Sequence, residues 1–321
     1  MDYSELKGKR ILVTGGAGFI GSNIVAKLLD LGCHVKVIDN LITGKKENII
    51  EFMDNNNFEF ILGDIRDYNL CLNVCENIDY VIQQAALGSV PRSIDNPLLS
   101  NDININGFLN ILYASVQKKV KRFIYASSSS VYGDSEKLPK VEDKIGNPLS
   151  PYALNKKVDE LYATLFNKIY NIETIGLRYF NVYGPKQDPN SKYSAVIPLF
   201  INNILNKKES YINGDGSNSR DFTYVEDAVN ANINACLVNR SSCCNIYNIA
   251  YGGRTTIKEL YDKISEITGM HINIVYQKER MGDVKHSNAS IQKAIDKLEY
   301  HPIYNINEGL KKTINWYQKK D

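Results

Sequence analysis

Arg10-Ile-Leu-Val-Thr-Gly-Gly-Ala-Gly-Phe-Ile-Gly21 decides how this 321-residue chain folds. The apolar run Ile11 to Val13 predicts a short buried parallel strand, and the amphipathic segment Phe19 to Leu31 predicts a helix. Between them Gly15, Gly18 and Gly21 repeat at every third position. The first turns the chain sharply, the second lets backbone N–H groups approach a pyrophosphate, and the third lets helix pack on strand. The N-terminus of the helix offers unpaired N–H groups and a positive dipole end to the phosphates. A second strand, His34 to Ile38, ends in Asp39, 18 residues beyond Gly21. A carboxylate there accepts from both hydroxyls of an adenosine ribose and repels a 2′-phosphate. The whole pattern points to a dinucleotide, NAD rather than NADP, where three glycines alone would fit a tight strand–helix turn without a ligand.

The chain is 43% hydrophobic and 23% charged, an ordinary globular balance, and long enough for one large α/β domain or two unequal parts. Its net charge is only +2 and its lysines are scattered, which argues against nucleic acid or a membrane surface as partner. No apolar run approaches 18 residues, and Met1-Asp2-Tyr3-Ser4-Glu5 has no signal-peptide character, so a cytoplasmic protein is expected. The six cysteines, Cys33, Cys71, Cys75, Cys236, Cys243 and Cys244, match no common zinc spacing. They read as buried or half-buried thiols, and no metal is expected.

Further along, Phe58 to Leu62 predicts a third strand ending in Gly63-Asp64-Ile65, where an acid and an apolar side chain could hold and cover an adenine. Asp67 to Glu76 predicts a helix, and Tyr80 to Ile82 a fourth strand running into Gln83-Gln84-Ala85-Ala86-Leu87-Gly88-Ser89. Small residues at the carboxyl end of a parallel strand are where an open α/β sheet receives its ligand. Pro97 to Lys118 carries the apolar stripe of one amphipathic helix, and Lys121 to Ala126 is a fifth strand. That strand opens into Ser127-Ser128-Ser129-Ser130. After a loop, Ser150-Pro151 supplies an N-cap and a first helical residue, which puts Tyr152 and Lys156 at i and i+4 on one face. A lysine ammonium beside a phenol favours the phenolate, and a phenol so tuned can exchange a proton with a carbinol that a strand-end serine orients. By itself, Tyr-x-x-x-Lys would be a helix-surface pair.

With a nucleotide fold, a serine run and this Tyr–Lys pair in order, the chain resembles the extended short-chain dehydrogenase/reductases, and among them the nucleotide-sugar epimerases and dehydratases. The resemblance spans essentially the whole length. It implies a doubly wound parallel sheet (a Rossmann fold) over residues 1–178, with 222–249 returning to it. Residues 179–221 and 250–321 would form a smaller C-terminal α/β part that binds a nucleotide sugar. Ser128, Tyr152 and Lys156 take the catalytic roles, Lys156 also holding the nicotinamide ribose. NAD is implied against Gly15, Gly18, Phe19, Ile20, Gly21, Asp39 and Asn40, against Asp64 and Ile65, against Gln83, Ala85, Ala86 and Asn104, and against Tyr152, Lys156 and Tyr179. Gln83 stands where the family commonly has His. The resemblance places a UDP group on Asn181, Tyr211, Asn213, Arg220, Arg280 and Asp283, and the sugar beside Ser128 and Ser129.

Sugar dehydratases of this family follow the catalytic hydroxyl residue with Asp-Glu, since eliminating water needs an acid and a base. Here Ser129 and Ser130 stand in those places, which leaves oxidation and re-reduction at one carbon, the work of a C4 epimerase. The segment Ala85 to Ser93 resembles the loop of epimerases that favour N-acetylated hexosamines, with Gly88, Ser89 and Ser93 toward the sugar. Ser287 falls where narrower, glucose-type members carry Tyr, and its small side chain would admit a 2-acetamido group. The expectation is therefore a UDP-N-acetylglucosamine 4-epimerase, with UDP-N-acetylglucosaminuronate, UDP-glucose and UDP-glucuronate as alternative substrates and a non-catalytic NAD sensor or scaffold as the alternative outside enzymes. In relatives, helices equivalent to 97–118 and 151–170 form a four-helix interface, so a homodimer is expected.

Overall fold

Strand and helix alternate through the first half of the chain in the computed structural model, which describes residues 1–279 and 285–320. In order come β1 (Arg10–Thr14), α1 (Phe19–Asp30), β2 (His34–Asp39), β3 (Phe58–Leu62), α2 (Tyr68–Val74), β4 (Tyr80–Gln83), α3 (Val90–Asp95), α4 (Pro97–Asn101), α5 (Phe108–Gln117), β5 (Arg122–Ser128), α6 (Pro151–Tyr170) and β6 (Glu173–Tyr179). The second half runs β7 (Val182–Tyr183), α7 (Val196–Leu205), β8 (Ser210–Asn213), β9 (Ser219–Arg220), β10 (Thr223–Tyr224), α8 (Val225–Leu237) and β11 (Asn245–Ile249). It ends in β12 (Thr255–Thr256), α9 (Ile257–Thr268), β13 (Ile274–Gln277), α10 (Gln292–Leu298) and α11 (Ile306–Lys320). No helix among the described residues is long and apolar enough to cross a membrane.

Seven strands pair in parallel in the order β3-β2-β1-β4-β5-β6-β11, a doubly wound sheet with β4 at its centre and β1 beside it. The unbroken apolar run of β1 suits a strand covered on both faces. Ile11 and Val13 face one core with Ile24, Val25 and Leu28 of α1, while Leu12 faces another with Ile111 and Leu112 of α5. Strand β11 pairs with β6 from Asn245↔Ile175 to Ile249↔Tyr179, so the chain comes back to the main sheet after leaving it at Tyr179. Beyond that sheet, β8 pairs with β13 and β9 with β12, and α9 packs against α7 and α11.

Two expectations are corrected. The segment 97–118 is not one helix, and the loop before it is partly helical. Ser89 caps the short helix α3, its Oγ accepting from Arg92 N at 3.3 Å, and Asn96 then caps α4 by accepting from Leu99 N at 3.1 Å. Between α4 and α5 one widened π-helical turn, Asp102–Gly107, adjusts the register. It turns Asn104 inward, where Oδ1 accepts from Leu87 N at 2.7 Å. This long-range contact outweighs the local apolar period. Strand β5 also runs on through Ser127 and Ser128, because both stay in register with β6.

Helix α6 is tied to the sheet by buried charge. Arg178 on β6 donates from Nε and Nη2 to the two carboxylate oxygens of Glu160, at 2.8 and 2.9 Å, and from Nη1 to Glu142 O at 2.9 Å. Ser127 Oγ also donates to Glu160. Removing one member leaves the other charged inside the core, which costs about 3–5 kcal/mol, whereas an apolar pair of similar volume is close to neutral. Glu160→Ala is therefore expected to lose about 3–5 kcal/mol in denaturant unfolding, and Glu160→Leu combined with Arg178→Met much less. Equal losses would assign the effect to packing instead of charge.

Candidate active site

The loop that leaves β1 lies against the loop that leaves β4. Gly15 has φ of +67°, its N–H donates to Ile38 O at 2.8 Å, and a Cβ on it would come within 2.7 Å of Ala85 N. Helix α1 then starts at Gly18 with no side-chain cap, so its first N–H groups face a cavity of about 500 Å³. At the end of β2 Asp39 is 8% exposed and accepts N–H bonds from Ala17 at 3.0 Å and Leu41 at 2.8 Å. Burial pushes its carboxyl upward against the pull of those two donors. Asp64 behaves oppositely: Arg66 and Asn40 Nδ2 hold it, and its carboxyl is drawn down to about 2. Glycine cradle, open helix end and inward carboxylate together fit a dinucleotide.

The other end of the same cavity is built by β5 and α6. Ser128 closes β5 opposite Tyr179, and its Oγ accepts from Ser130 N at 3.1 Å and from Ser130 Oγ at 2.8 Å. Ser150 caps α6 by accepting from Ala153 N at 3.1 Å, with Pro151 in the first turn. Tyr152 N donates to Ser93 Oγ at 3.1 Å, which fixes α3 to the start of α6. One turn on, the Lys156 ammonium, only 3% exposed, donates to Asp159 Oδ2 at 3.1 Å. Ser128, Ser129, Tyr152 and Lys156 all line the cavity. Among the described lining residues the carboxylates are Asp39 and Asp64, both at the far end from these hydroxyls.

A second cavity of about 260 Å³ adjoins the first and shares Asn181 and Val182 with it. Tyr211, Asn213, Arg220 and Phe222 line it. Asn181, at φ +38°, donates from Nδ2 to Asp221 O at 3.0 Å, and Arg220 Nη1 donates to Ser219 O at 3.0 Å. The arrangement offers a flat aromatic surface, an amide and a guanidinium, a set suited to a base and a diphosphate.

Of the residues singled out from the sequence, the first cavity brings together Gly15, Gly18, Phe19, Ile20, Gly21, Asp39, Asn40, Asp64, Ile65, Ala85, Ala86, Gly88, Ser89, Ser128, Ser129, Tyr152, Lys156, Tyr179 and Asn181. The second takes Tyr211, Asn213 and Arg220. Four lie outside both linings. Gln83 is buried on Thr14, where it shapes the end of β4 by accepting from Ala85 N at 3.1 Å. Asn104 holds Leu87, and Ser93, inside α3 rather than on a loop, holds Tyr152 N. Ser287 is half-buried and donates its N–H to Ser219 O at 3.0 Å, beside Arg220. Arg280 and Asp283 lie outside the described residues. The sequence reading missed Gln84 and Gln187, which also line the cavity. Gln187 Oε1 is buried without a hydrogen-bond partner. A lone glutamine in a turn carries no periodic signal that would single it out.

Residues 11–250 match the model of the NAD dependent epimerase/dehydratase family. Among solved structures, the chain is 40% identical to a UDP-N-acetylglucosamine 4-epimerase from Methanobrevibacter ruminantium in complex with UDP-N-acetylmuramic acid, covering 98% of this chain and 100% of that one with a TM-score of 0.92. It is 38% identical to a UDP-glucose 4-epimerase of Thermotoga maritima with UDP-glucose, over 97% and 99% of the two chains and again with a TM-score of 0.92. A UDP-glucuronic acid 4-epimerase of Bacillus cereus, in complex with UDP-glucuronic acid and NAD, is 31% identical over 97% and 100%, with a TM-score of 0.91.

A hydrogen bond to a charged acceptor contributes roughly 1.5–3 kcal/mol. Asp39→Ala is accordingly expected to weaken NAD binding at least about tenfold and to narrow the preference for NAD over NADP, both measured by titration of purified protein. Unchanged NAD affinity would remove Asp39 from the ribose.

Proposed function

The chain belongs to the NAD dependent epimerase/dehydratase family, and on that premise we propose that it interconverts the C4 epimers of a UDP-hexose, with UDP-N-acetylglucosamine and UDP-N-acetylgalactosamine as the preferred pair. The observation that carries the reading is the chemistry of the cavity around Tyr152: hydroxyls from Ser128 and Ser129 and the Lys156 ammonium, with the cavity's described carboxylates at its other end. Elimination of water would need a general acid and a base at the sugar. Oxidation and re-reduction at one carbon need a single proton carrier.

NAD, when bound, supplies a two-electron acceptor for the C4 hydrogen and its return to the opposite face. Tyr152 takes the C4 hydroxyl proton as the carbonyl forms and gives it back as the carbonyl is reduced. Ser128 Oγ, supported by two bonds from Ser130, orients that oxygen. Lys156 holds the cofactor ribose and lends its charge to the phenol. Asn181, Arg220 and Tyr211 grip the UDP, together with Arg280 and Asp283. The 4-keto sugar can then swing about the diphosphate while its nucleotide stays fixed. No net oxidation occurs, so the cofactor has no reason to leave between turnovers.

The N-acetylated sugar is favoured by the open ground near Gly88, where an added Cβ would meet nothing within 4 Å, and by the neighbouring Ser89. Likeness to a UDP-N-acetylglucosamine 4-epimerase at 40% identity adds support. Purified protein is expected to convert UDP-N-acetylglucosamine without added reductant and faster than UDP-glucose or UDP-glucuronate. Retained NAD with none of the UDP-hexoses or uronates converted would sink the reading in favour of a sensor or scaffold. Tyr152→Phe should lower kcat by about 10²–10⁴ and leave UDP binding intact. Ser287→Tyr should suppress the N-acetylated substrate far more than the plain one.

A second copy of the chain is the proposed partner. Leu154, Leu161, Leu165 and Ile169 form an exposed stripe along α6 at helical spacing, beside the aromatic groove of Tyr113, Tyr162, Phe166 and Tyr170. Exposed apolar area of this kind marks an interface. Leu161→Glu with Leu165→Glu should yield a monomer in sedimentation, from a dimeric parent.

A further inference from the structure

Helix α6 carries Lys156, Asp159 and Glu160 within little more than one turn, and all three are buried. Their partners are sharply divided. Glu160 gives both oxygens to Arg178, so it has none for Lys156. Asp159 is 0% exposed, its Oδ2 accepts from Lys156 Nζ at 3.1 Å, and its Oδ1 has no hydrogen-bond partner at all. A carboxylate with one empty oxygen is a poor packing residue, and an apolar side chain would fill the site without the desolvation penalty. What the carboxylate supplies that an apolar group cannot is a counter-charge to Lys156.

We propose that Asp159 is a positioning residue of the active site, anchoring the Lys156 ammonium from behind and setting the net charge that Lys156 presents to Tyr152. This rests on the roles given above to Tyr152 and Lys156. With Asp159 ionised, the pair is neutral as a unit and its pull on a phenolate is largely cancelled. With Asp159 protonated, the lysine charge stands uncompensated and favours the phenolate. The groups that face Asp159 are Lys156 and Glu160 on its own helix and the Tyr125 phenol on β5, while the Arg178 guanidinium on β6 is engaged by Glu160. The Glu160–Arg178 pair cancels itself, and Tyr125 is held protonated by burial. The α4–α5 segment meets this part of α6 with Asn101 and Asn104, which carry no charge. Burial raises the Asp159 carboxyl above the ordinary carboxylate range despite the adjoining ammonium.

The test is Asp159→Asn in the holoenzyme. Asparagine can still accept from Lys156 but cannot become an anion. A contacting charge moves a pKa by roughly 1–3 units, and Asp159 acts from behind Lys156. The acid limb of kcat/KM is therefore expected to move down by about one pH unit, a gain of about tenfold in relative rate on that limb. The tyrosinate absorbance lost on adding Tyr152→Phe, measured without any sugar, should shift its midpoint in the same direction. Unmoved midpoints in both measurements, in folded protein, would overturn the proposal. A shifted tyrosinate midpoint with no UDP-hexose converted would uphold it while overturning the epimerase reading. If Asp159→Asn alone does not fold, the double variant with Lys156→Met decides. Recovery of the fold shows that Asp159 serves Lys156, and continued failure shows that it serves packing and overturns the proposal.

Discussion

The close approach of two loops, the one leaving β1 and the one leaving β4, is the constraint on which the rest of the molecule depends. These strands are neighbours at the centre of the sheet, where the winding changes direction and the connections part to opposite sides. A crevice opens there only if the backbone itself forms its walls. Gly15 makes that wall, with Ala85 N within 2.7 Å of where its Cβ would be. Gly21 completes it, since a Cβ there would meet Gly15 O at 2.2 Å. With no side chains in the gap, the open end of α1 faces the cavity directly.

The second half of the site reaches this crevice through α6, and α6 is positioned by charge as much as by packing. Along its inner side lie Ala153, Ala163 and Phe166 but also Lys156, Asp159 and Glu160. The Glu160–Arg178 pair joins it to β6, the strand beside β5, which ends in Ser128. At its first turn the Tyr152 N–H bond to Ser93 ties it to α3, which begins just after Gly88 and Ser89. The Gly88–Ser89 loop, helix α6 and strand β5 are thus one connected unit. Displacement of α6 would move Tyr152 relative to Ser128 and to the loop together.

Much of this was legible in the chain because it is local. Buried parallel strands read as apolar runs, and the Gly15-Gly18-Gly21 spacing, Asp39 at a strand end and the Ser150-Pro151 helix start each announce themselves within a few residues. The long apolar stripe over 97–118 misled for the same reason: periodicity does not register the π turn that Asn104 needs to reach Leu87. The family resemblance puts Gln83 and Ser93 near the ligand, yet each points into the backbone instead and shapes the wall from outside. Gln187 and Asp159 could not be found by pattern at all. Their significance lies in which way a side chain points and what partner it lacks, and neither is encoded in spacing.

The distribution of charge along the joined cavities then gives the site its logic. Carboxylates stand at the adenosine end, where Asp39 is enclosed and Asp64 is locked to Arg66. The Arg220 guanidinium stands on the wall of the second cavity, where a diphosphate would need it. Between them the cavity is lined by short hydroxyls, a phenol and an ammonium that pairs with Asp159 inside the core. A ligand held by such a surface is gripped at both ends and weakly in the middle. Strong, oriented hydrogen bonds to the sugar would fix one face toward the cofactor and stop the reaction halfway. On the proposed reading, a neutral and sparsely furnished middle would let the ring turn over, and would leave the proton carried by Tyr152 as the one group there that must be tuned.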